Sequence, residues 1–299
     1  MNHEIDLTIE IAAERERSKA SKAGPVQVHA GMTVAQGFEV IVEACIRHFR
    51  RNQALVVERR NPEALHQSRV AVRRLRSALS LFRPAVGDAE FARIRDDLRW
   101  FADLLGDARN LDTLLERELP APVRVALIEQ REAAYATVVA AMESNRLRLL
   151  MLDIVAWSAH GGWRREKRAR RPLEPFARRR INRLWRQIKG SDRLKALDEG
   201  EQHGLRIRTK KLRYALEFTW ALHDSRRKRR GKFADKIEAL QEELGHLHDL
   251  VTARSLMAEW PMVRHSAGDK KHEKAQVRRA QRALRKMRKI GRYWRSTAA

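Results

Sequence analysis

Two kinds of hydrophobic spacing occur along the chain, and only one of them persists. Near the start, Ile5, Leu7, Ile9 and Ile11 alternate with polar residues, the two-residue period of a strand. A Lys/Ser-rich stretch to Gly24-Pro25 then has the composition of a linker, so residues 1–30 are set apart as an N-terminal extension. From Met32 onward the period changes. Phe38, Ile41, Val42, Cys45, Ile46 and Phe49 fall at three- and four-residue steps, which places them on one face of a helix that stops at Asn61-Pro62. Asn61 is a natural N-cap and Pro62 suits the first helical position, so the next helix runs to about Phe82, before Pro84. The same spacing predicts helices over about 88–106, 109–118, 122–157, 173–189, 199–223, 228–245, 247–260 and 269–290. Breaks are expected at Gly87, Pro120-Ala-Pro122, Gly161-Gly162, Pro172, Gly190, Pro261 and Gly268.

Composition agrees with that pattern. Only 14 Gly and 8 Pro interrupt 299 residues, too few for a many-turned β-fold, and the expected class is all-α. The longest apolar run, LRLLMLDIVAW (147–157), contains Arg148 and Asp153 and is far short of the roughly 20 apolar residues a membrane helix needs. No bilayer span is expected. The first residues lack a basic stretch followed by an apolar run, so they do not read as a secretory signal. Cys45 is the only cysteine, which fits a reducing compartment, and the cytoplasm is the default location.

A repeat organises the chain. HQSRVAVRRLR (66–76) returns 137 positions later as HGLRIRTKKLR (203–213), and FADLLGDARNLD (101–112) aligns with LQEELGHLHDLV (240–251) when Gly106 is set on Gly245, an offset of 139. Two pairs at nearly one offset point to an internal duplication. The halves are taken as 31–160 and 161–299, each with helices enough for a four-helix bundle.

Charge sharpens the picture. Sixty-three Lys and Arg face 38 Asp and Glu, a net +25 that repels itself in a compact fold unless an anion is near. At about 100° per residue, His66, Arg69, Arg73 and Arg76 fall within roughly 80° of circumference, beside a core stripe of Val72, Leu75, Leu79 and Phe82. His203, Arg206, Lys210 and Arg213 repeat the stripe, and Leu212 and Leu216 repeat Leu75 and Leu79. Like charges stacked at helical spacing cost about 0.2–0.5 kcal/mol per pair. Only Glu63, Glu199 and Glu217 lie within helical reach, so relief must come from neighbouring helices, with Asp96, Asp97 and Glu238 as candidates, or from a bound anion. Arginine's planar fork makes paired charge-assisted bonds to phosphate, and Lys adds a mobile point charge. Stripe positions rise about 4.5–6 Å apart, a spacing suited to successive groups of a linear phosphate polymer.

These segments resemble the CHAD family, the conserved histidine α-helical domain. The resemblance is carried by LHQSRVAVRRLRSALSLF (65–82), its echo HGLRIRTKKLRYALEF (203–218) and the paired LGDARNLD and LGHLHDLV, and it extends from about Val26 to Trp294. It implies two four-helix bundles related by a pseudo-twofold around a basic groove or pore that binds inorganic polyphosphate without catalysis or cofactor, and an association with polyphosphate granules. Carried onto this chain, the histidines are His66 and His203. The phosphate-binding cations are Arg69, Arg73, Arg74, Arg76, Arg206, Lys210, Lys211 and Arg213. Asn110 stands where the family tends to have Asp, and His248 where its second half tends to have Asn. HEIDLTIE at the N-terminus resembles a worn copy of the strand that opens CYTH triphosphatase domains, but thirty residues cannot build that catalytic barrel.

Two further basic tracts, 164–189 and 270–295, each hold 12 Lys and Arg. Within the first, Arg179, Arg183 and Arg186 are the candidates to widen the anionic site, since they enter the second half. Nucleic acid is the main rival, because any such surface attracts a phosphate backbone in a salt-dependent way. Neither stripe carries an aromatic on its cationic face, however, and no zinc-finger or RNA-recognition spacing is present, so only weak, non-specific nucleic-acid binding is expected. A histidine metal site is opposed by the four cations sharing the face, and His246 and His248, two apart, point to different sides of a helix. No phosphate loop, activated nucleophile or carboxylate cluster marks an enzyme.

Overall fold

In a computed structural model of the chain, residues 19–189, 194, 198–259 and 270–294 are described, except for the side chains of 189, 224, 225, 248, 249, 251–259 and 270–272. The strand pattern at Ile5–Ile11 and the breaks at Gly190, Pro261 and Gly268 lie outside those residues. The fold is all-α: nine α-helices run through the described residues, with no strand beyond an isolated bridge between Thr33 and Pro172. We number them α1 (Val34–Arg59), α2 (Pro62–Val86), α3 (Ala89–Leu115), α4 (Ala121–Glu143), α5 (Asn145–His160), α6 (Leu173–Lys189), α7 (Glu199–Phe218), α8 (Arg227–Glu259) and α9 (Lys270–Ile290).

The chain forms two compact units, Met1–Pro25 with Ala35–Arg170 and Val26–Val34 with Arg171–Ala299. In the first, Phe38 packs its ring against Phe82, Trp157 and Trp163 at centroid distances of 5.3, 5.6 and 5.6 Å. The 3₁₀ turn Gly162–Arg165 delivers Trp163 to that cluster, so the segment after His160 belongs with the first unit's core. In the second, Phe233 meets Trp185 at 5.6 Å and Trp294 at 5.1 Å, and buried Tyr293 and Trp294 close the described chain.

Several helix boundaries differ from the expectation for identifiable reasons. Helix α2 continues through Pro84 to Val86: the proline has no N–H to add to the ladder, but Ala85 and Val86 beyond it are buried, and Gly87 N–H still donates to the Arg83 carbonyl at 3.0 Å. Helices α3 and α8 each run unbroken through the glycine at which the spacing predicts a helix end, Gly106 and Gly245. One glycine costs a helix about 1 kcal/mol. Buried Leu105 and Ala108, and buried Leu244 and Leu247, outweigh it. The long helix expected over 122–157 is instead two. Ser144 adopts extended backbone and its hydroxyl accepts from Leu147 N–H at 3.2 Å, capping α5. Helix α7 ends at Phe218 and is followed by 3₁₀ backbone over Trp220–Arg226, with His223 out of helical geometry.

The part of the expected N-terminal extension that is described is packed. Ser21 N–H donates to Asn52 Oδ1 at 2.8 Å, Asn52 and His48 reach back to its carbonyl, and Val26 and Val28 are buried.

Candidate anion-binding site

Helix α2 is started by Asn61, whose Oδ1 accepts from Glu63 N–H at 3.0 Å and Ala64 N–H at 2.9 Å, with Pro62 at the first helical position. Its apolar face, Val72, Leu75, Leu79 and Phe82, is buried. That burial fixes the rotation of the helix, and His66, Arg69, Arg73 and Arg76 are left half-buried along the edge of the core.

Helix α3 packs beside α2 and brings groups that the stripe alone does not reveal. A Cβ built on Gly106 would sit 4.0 Å from Arg69 Nε, which places the middle of α3 next to the stripe. The His66 imidazole is held below its ordinary pKa, first by burial and then by the Arg109 guanidinium of α3; Glu63 opposes this, and Arg73 and Arg69 add to it. Its Nδ1 is buried without a hydrogen-bond partner among the described residues. Arg76 is likewise lowered, mainly by burial, with Asp103 acting to raise it and Arg99 to lower it. An arginine remains charged through such a shift, so the first stripe is a partly desolvated cluster of cations.

Arg109 is braced from behind. It lies 3.9 Å from Asp112 and 3.5 Å from Glu116. Buried Asp112 also accepts from Arg131 Nε at 2.8 Å and from the Tyr135 hydroxyl at 2.9 Å, both on α4. Burial and the Asp112 charge push that phenol's pKa upward, keeping it a donor. Sequence reasoning missed Arg99 and Arg109 as site residues. The signal was present: they flank Gly106 at seven and three residues, on the same side of α3.

One of the cations that the family resemblance implies is elsewhere. Arg74 is 1% exposed, beside His48, whose pKa is lowered by burial and by that guanidinium. Position 74 faces inward with Ala71 and Ala78, so its cation cannot serve the surface that His66 and Arg73 border.

In the second unit, α7 begins with a capping box: Asp198 Oδ1 accepts from Glu201 N–H at 2.7 Å, and the Glu201 carboxylate accepts from Asp198 N–H at 3.0 Å. Buried Leu205, Leu212 and Leu216 orient it. Arg206, Lys210, Lys211 and Arg213 are half-buried, whereas His203 is exposed. Arg213 stands 3.5 Å from Glu238 of α8 and 5.2 Å from the centre of the Tyr214 ring. Glu238 is therefore an anticipated carboxylate that does meet a stripe, as Glu63 does at His66. Asp96 pairs with Arg95, and Asp97 with Arg146 and Arg93. Arg208, absent from the sequence-based set, is half-buried, with its Nε buried and unbonded among the described residues. Arg179, Arg183 and Arg186 are exposed on α6, and among the described residues no hydrogen bond or ion pair joins them to the α7 stripe. His248's side chain lies outside the description, and among the described residues no three potential metal ligands come together. No described helix is long and apolar enough to cross a membrane.

Comparison with known proteins adds a lineage to this geometry. The profile of one family, the CHAD domain, matches residues 40–258. A crystal structure of the CHAD domain from the plant Ricinus communis superimposes with a TM-score of 0.72 at 30% identity, covering 89% of this chain and 90% of that one. PptA from Streptomyces chartreusis shares the fold at 17% identity, with a TM-score of 0.57 over 87% of this chain and 96% of its own. The uncharacterized protein Rv2226 of Mycobacterium tuberculosis is 27% identical over 235 residues, 69% of this chain. The match spans only 42% of that relative's length.

Proposed function

The chain belongs to the CHAD domain family, and from that premise we propose that it binds inorganic polyphosphate through its two His/Arg/Lys stripes and does not cleave it. The observation that carries this reading is the crowding at His66. Arg109, Arg73 and Arg69 act together on a half-buried imidazole with an unbonded Nδ1, and a phosphate chain lying along α2 would supply both the countercharge and the hydrogen-bond acceptors. His66, Arg69, Arg73, Arg76, Arg99 and Arg109 form the first set. His203, Arg206, Lys210, Lys211 and Arg213 form the second. A longer polymer meets more cations of a set at once, so affinity should climb with chain length.

The test is charge reversal. Arg73→Glu together with Lys210→Glu should weaken binding of long polyphosphate far more than Arg285→Glu together with Arg288→Glu, which makes the same change in net charge on α9. Equal losses would mean attraction to overall charge and would remove the site.

A further inference from the structure

Helix α9 carries a stripe that the repeat does not account for. Arg279, Arg282, Lys286 and Lys289 follow one another at steps of three, four and three residues, the spacing of His66, Arg69, Arg73 and Arg76. At 100° per residue the four cover about 80°. They border, without entering, the apolar face of Val277, Ala280, Leu284 and Met287, all buried. The first three of these cations are exposed and line a groove of about 450 Å³ between α8 and α9, with Lys236 of α8 opposite. Two alanines, Ala239 and Ala283, keep the groove open between the long side chains. Its one carboxylate, Glu243, accepts from the buried Gln276 amide at 2.7 Å. Among the described residues no ion pair engages any of the four lining cations.

The groove is separate from the α7 stripe. Lys236 and Glu243 lie about 150° around α8 from Glu238, the residue that reaches Arg213.

We infer that the α8/α9 groove is a second, independent binding site for condensed phosphate, taking a short run of phosphate groups on Arg279, Arg282 and Lys286 with Lys236 closing the other side. The choice of ligand rests on the polyphosphate reading above; the existence of an anion site here does not. Four cations against one carboxylate favour an oxyanion, and three successive positions rising about 4.5 and 6 Å match a chain better than an isolated ion. No aromatic side chain lines the groove, so bases would find no stacking surface.

The test uses tripolyphosphate and calorimetry on the full chain in four forms: wild type, the stripe variant Arg73→Glu/Lys210→Glu, the groove variant Arg279→Gln/Arg282→Gln/Lys286→Gln, and a control, Lys274→Gln/Arg278→Gln/Arg285→Gln. The control removes the same charge from exposed α9 positions outside the groove. Circular dichroism confirms that each is folded. The stripe variant should retain a tripolyphosphate site that the groove changes, added to it, weaken about tenfold or more and the control changes leave within about twofold. Loss of all binding in the stripe variant, or equal effects of groove and control changes, would overturn the second site. Full binding by the stripe variant with loss in the groove variant would uphold the groove while refuting the stripes. If a single-stranded DNA oligonucleotide of matched charge binds the groove more tightly than tripolyphosphate does, the assignment to condensed phosphate is wrong.

Discussion

The stripes on α2 and α7 are written with nearly the same residues, yet the fold treats them differently. On α2, the histidine is half-buried and sits under the influence of Arg109, and Arg76 is depressed by burial next to Arg99. On α7, the histidine is exposed and the last cation leans on a carboxylate, Glu238. The difference originates in the neighbouring helix: α3 brings Arg99 and Arg109 along with Asp103, whereas α8 places Glu238 3.5 Å from Arg213. A spacing in sequence therefore fixes which residues share a helix face, but the energetic state of that face is set by what packs beside it. The first stripe should be the stronger half of the proposed site because its histidine is half-buried among arginines and gains most from an anion.

The largest effect should come from removing the brace behind Arg109. Asp112→Ala leaves Arg131 and the Tyr135 hydroxyl without their buried carboxylate, and urea unfolding should show a loss of about 3 kcal/mol. Asp112→Asn should recover part of it by keeping the phenol's acceptor. A loss confined to binding, with stability unchanged, would mean that Asp112 does not hold this corner together.

Charge reversal at single positions ranks the stripes directly. Arg73→Glu should weaken polyphosphate binding about thirtyfold and Lys210→Glu about fivefold, corresponding to about 2 and 1 kcal/mol. The opposite order would break the comparison.

Acidity offers a third handle. Burial and Arg109 keep the free His66 below its ordinary 6.5, so it is neutral near pH 7. A bound polyanion neutralises the surrounding cations and raises that pKa, so binding takes up a proton. Affinity should then grow as pH falls from about 7 through the region below 6.5, by up to about fivefold per unit. His66→Gln should flatten most of this slope in anisotropy titrations, while His203→Gln should leave most of it. A slope that survives His66→Gln places the coupled proton elsewhere.

The smallest effect concerns Glu238. Its pairing with Arg213 is exposed, and such pairs contribute about 0–1 kcal/mol. Glu238→Gln frees Arg213 for phosphate and should raise affinity by about twofold; a decrease would show that the pair positions Arg213.

Much of this was legible in the chain. The all-α class, the capping of α2 by Asn61 and the division of α2 into a core face and a cationic edge follow from periodicity. The sequence was misleading where a local signal met a larger packing term. Predicted helices end at Gly106 and Gly245, but buried apolar residues on both sides carry the helices through. Ser144 sits in the polar run 143–146, short enough to pass as one turn of a continuing helix, and its capping role depends on backbone geometry that periodicity does not contain. Arg74 reads as one more cation in VRRLR, yet one residue of rotation turns it inward toward His48. Arg99 and Arg109 were hidden for the opposite reason, since they join the stripe from another helix and only packing brings them there.

The central claim is that these cations are arranged for a phosphate polymer and not merely for negative charge. Competition at physiological salt between fluorescent long polyphosphate and single-stranded DNA of matched charge tests it most directly. The account predicts that unlabelled polyphosphate displaces bound DNA completely, while DNA in excess leaves bound polyphosphate in place. Displacement of polyphosphate by DNA at equal charge would contradict it.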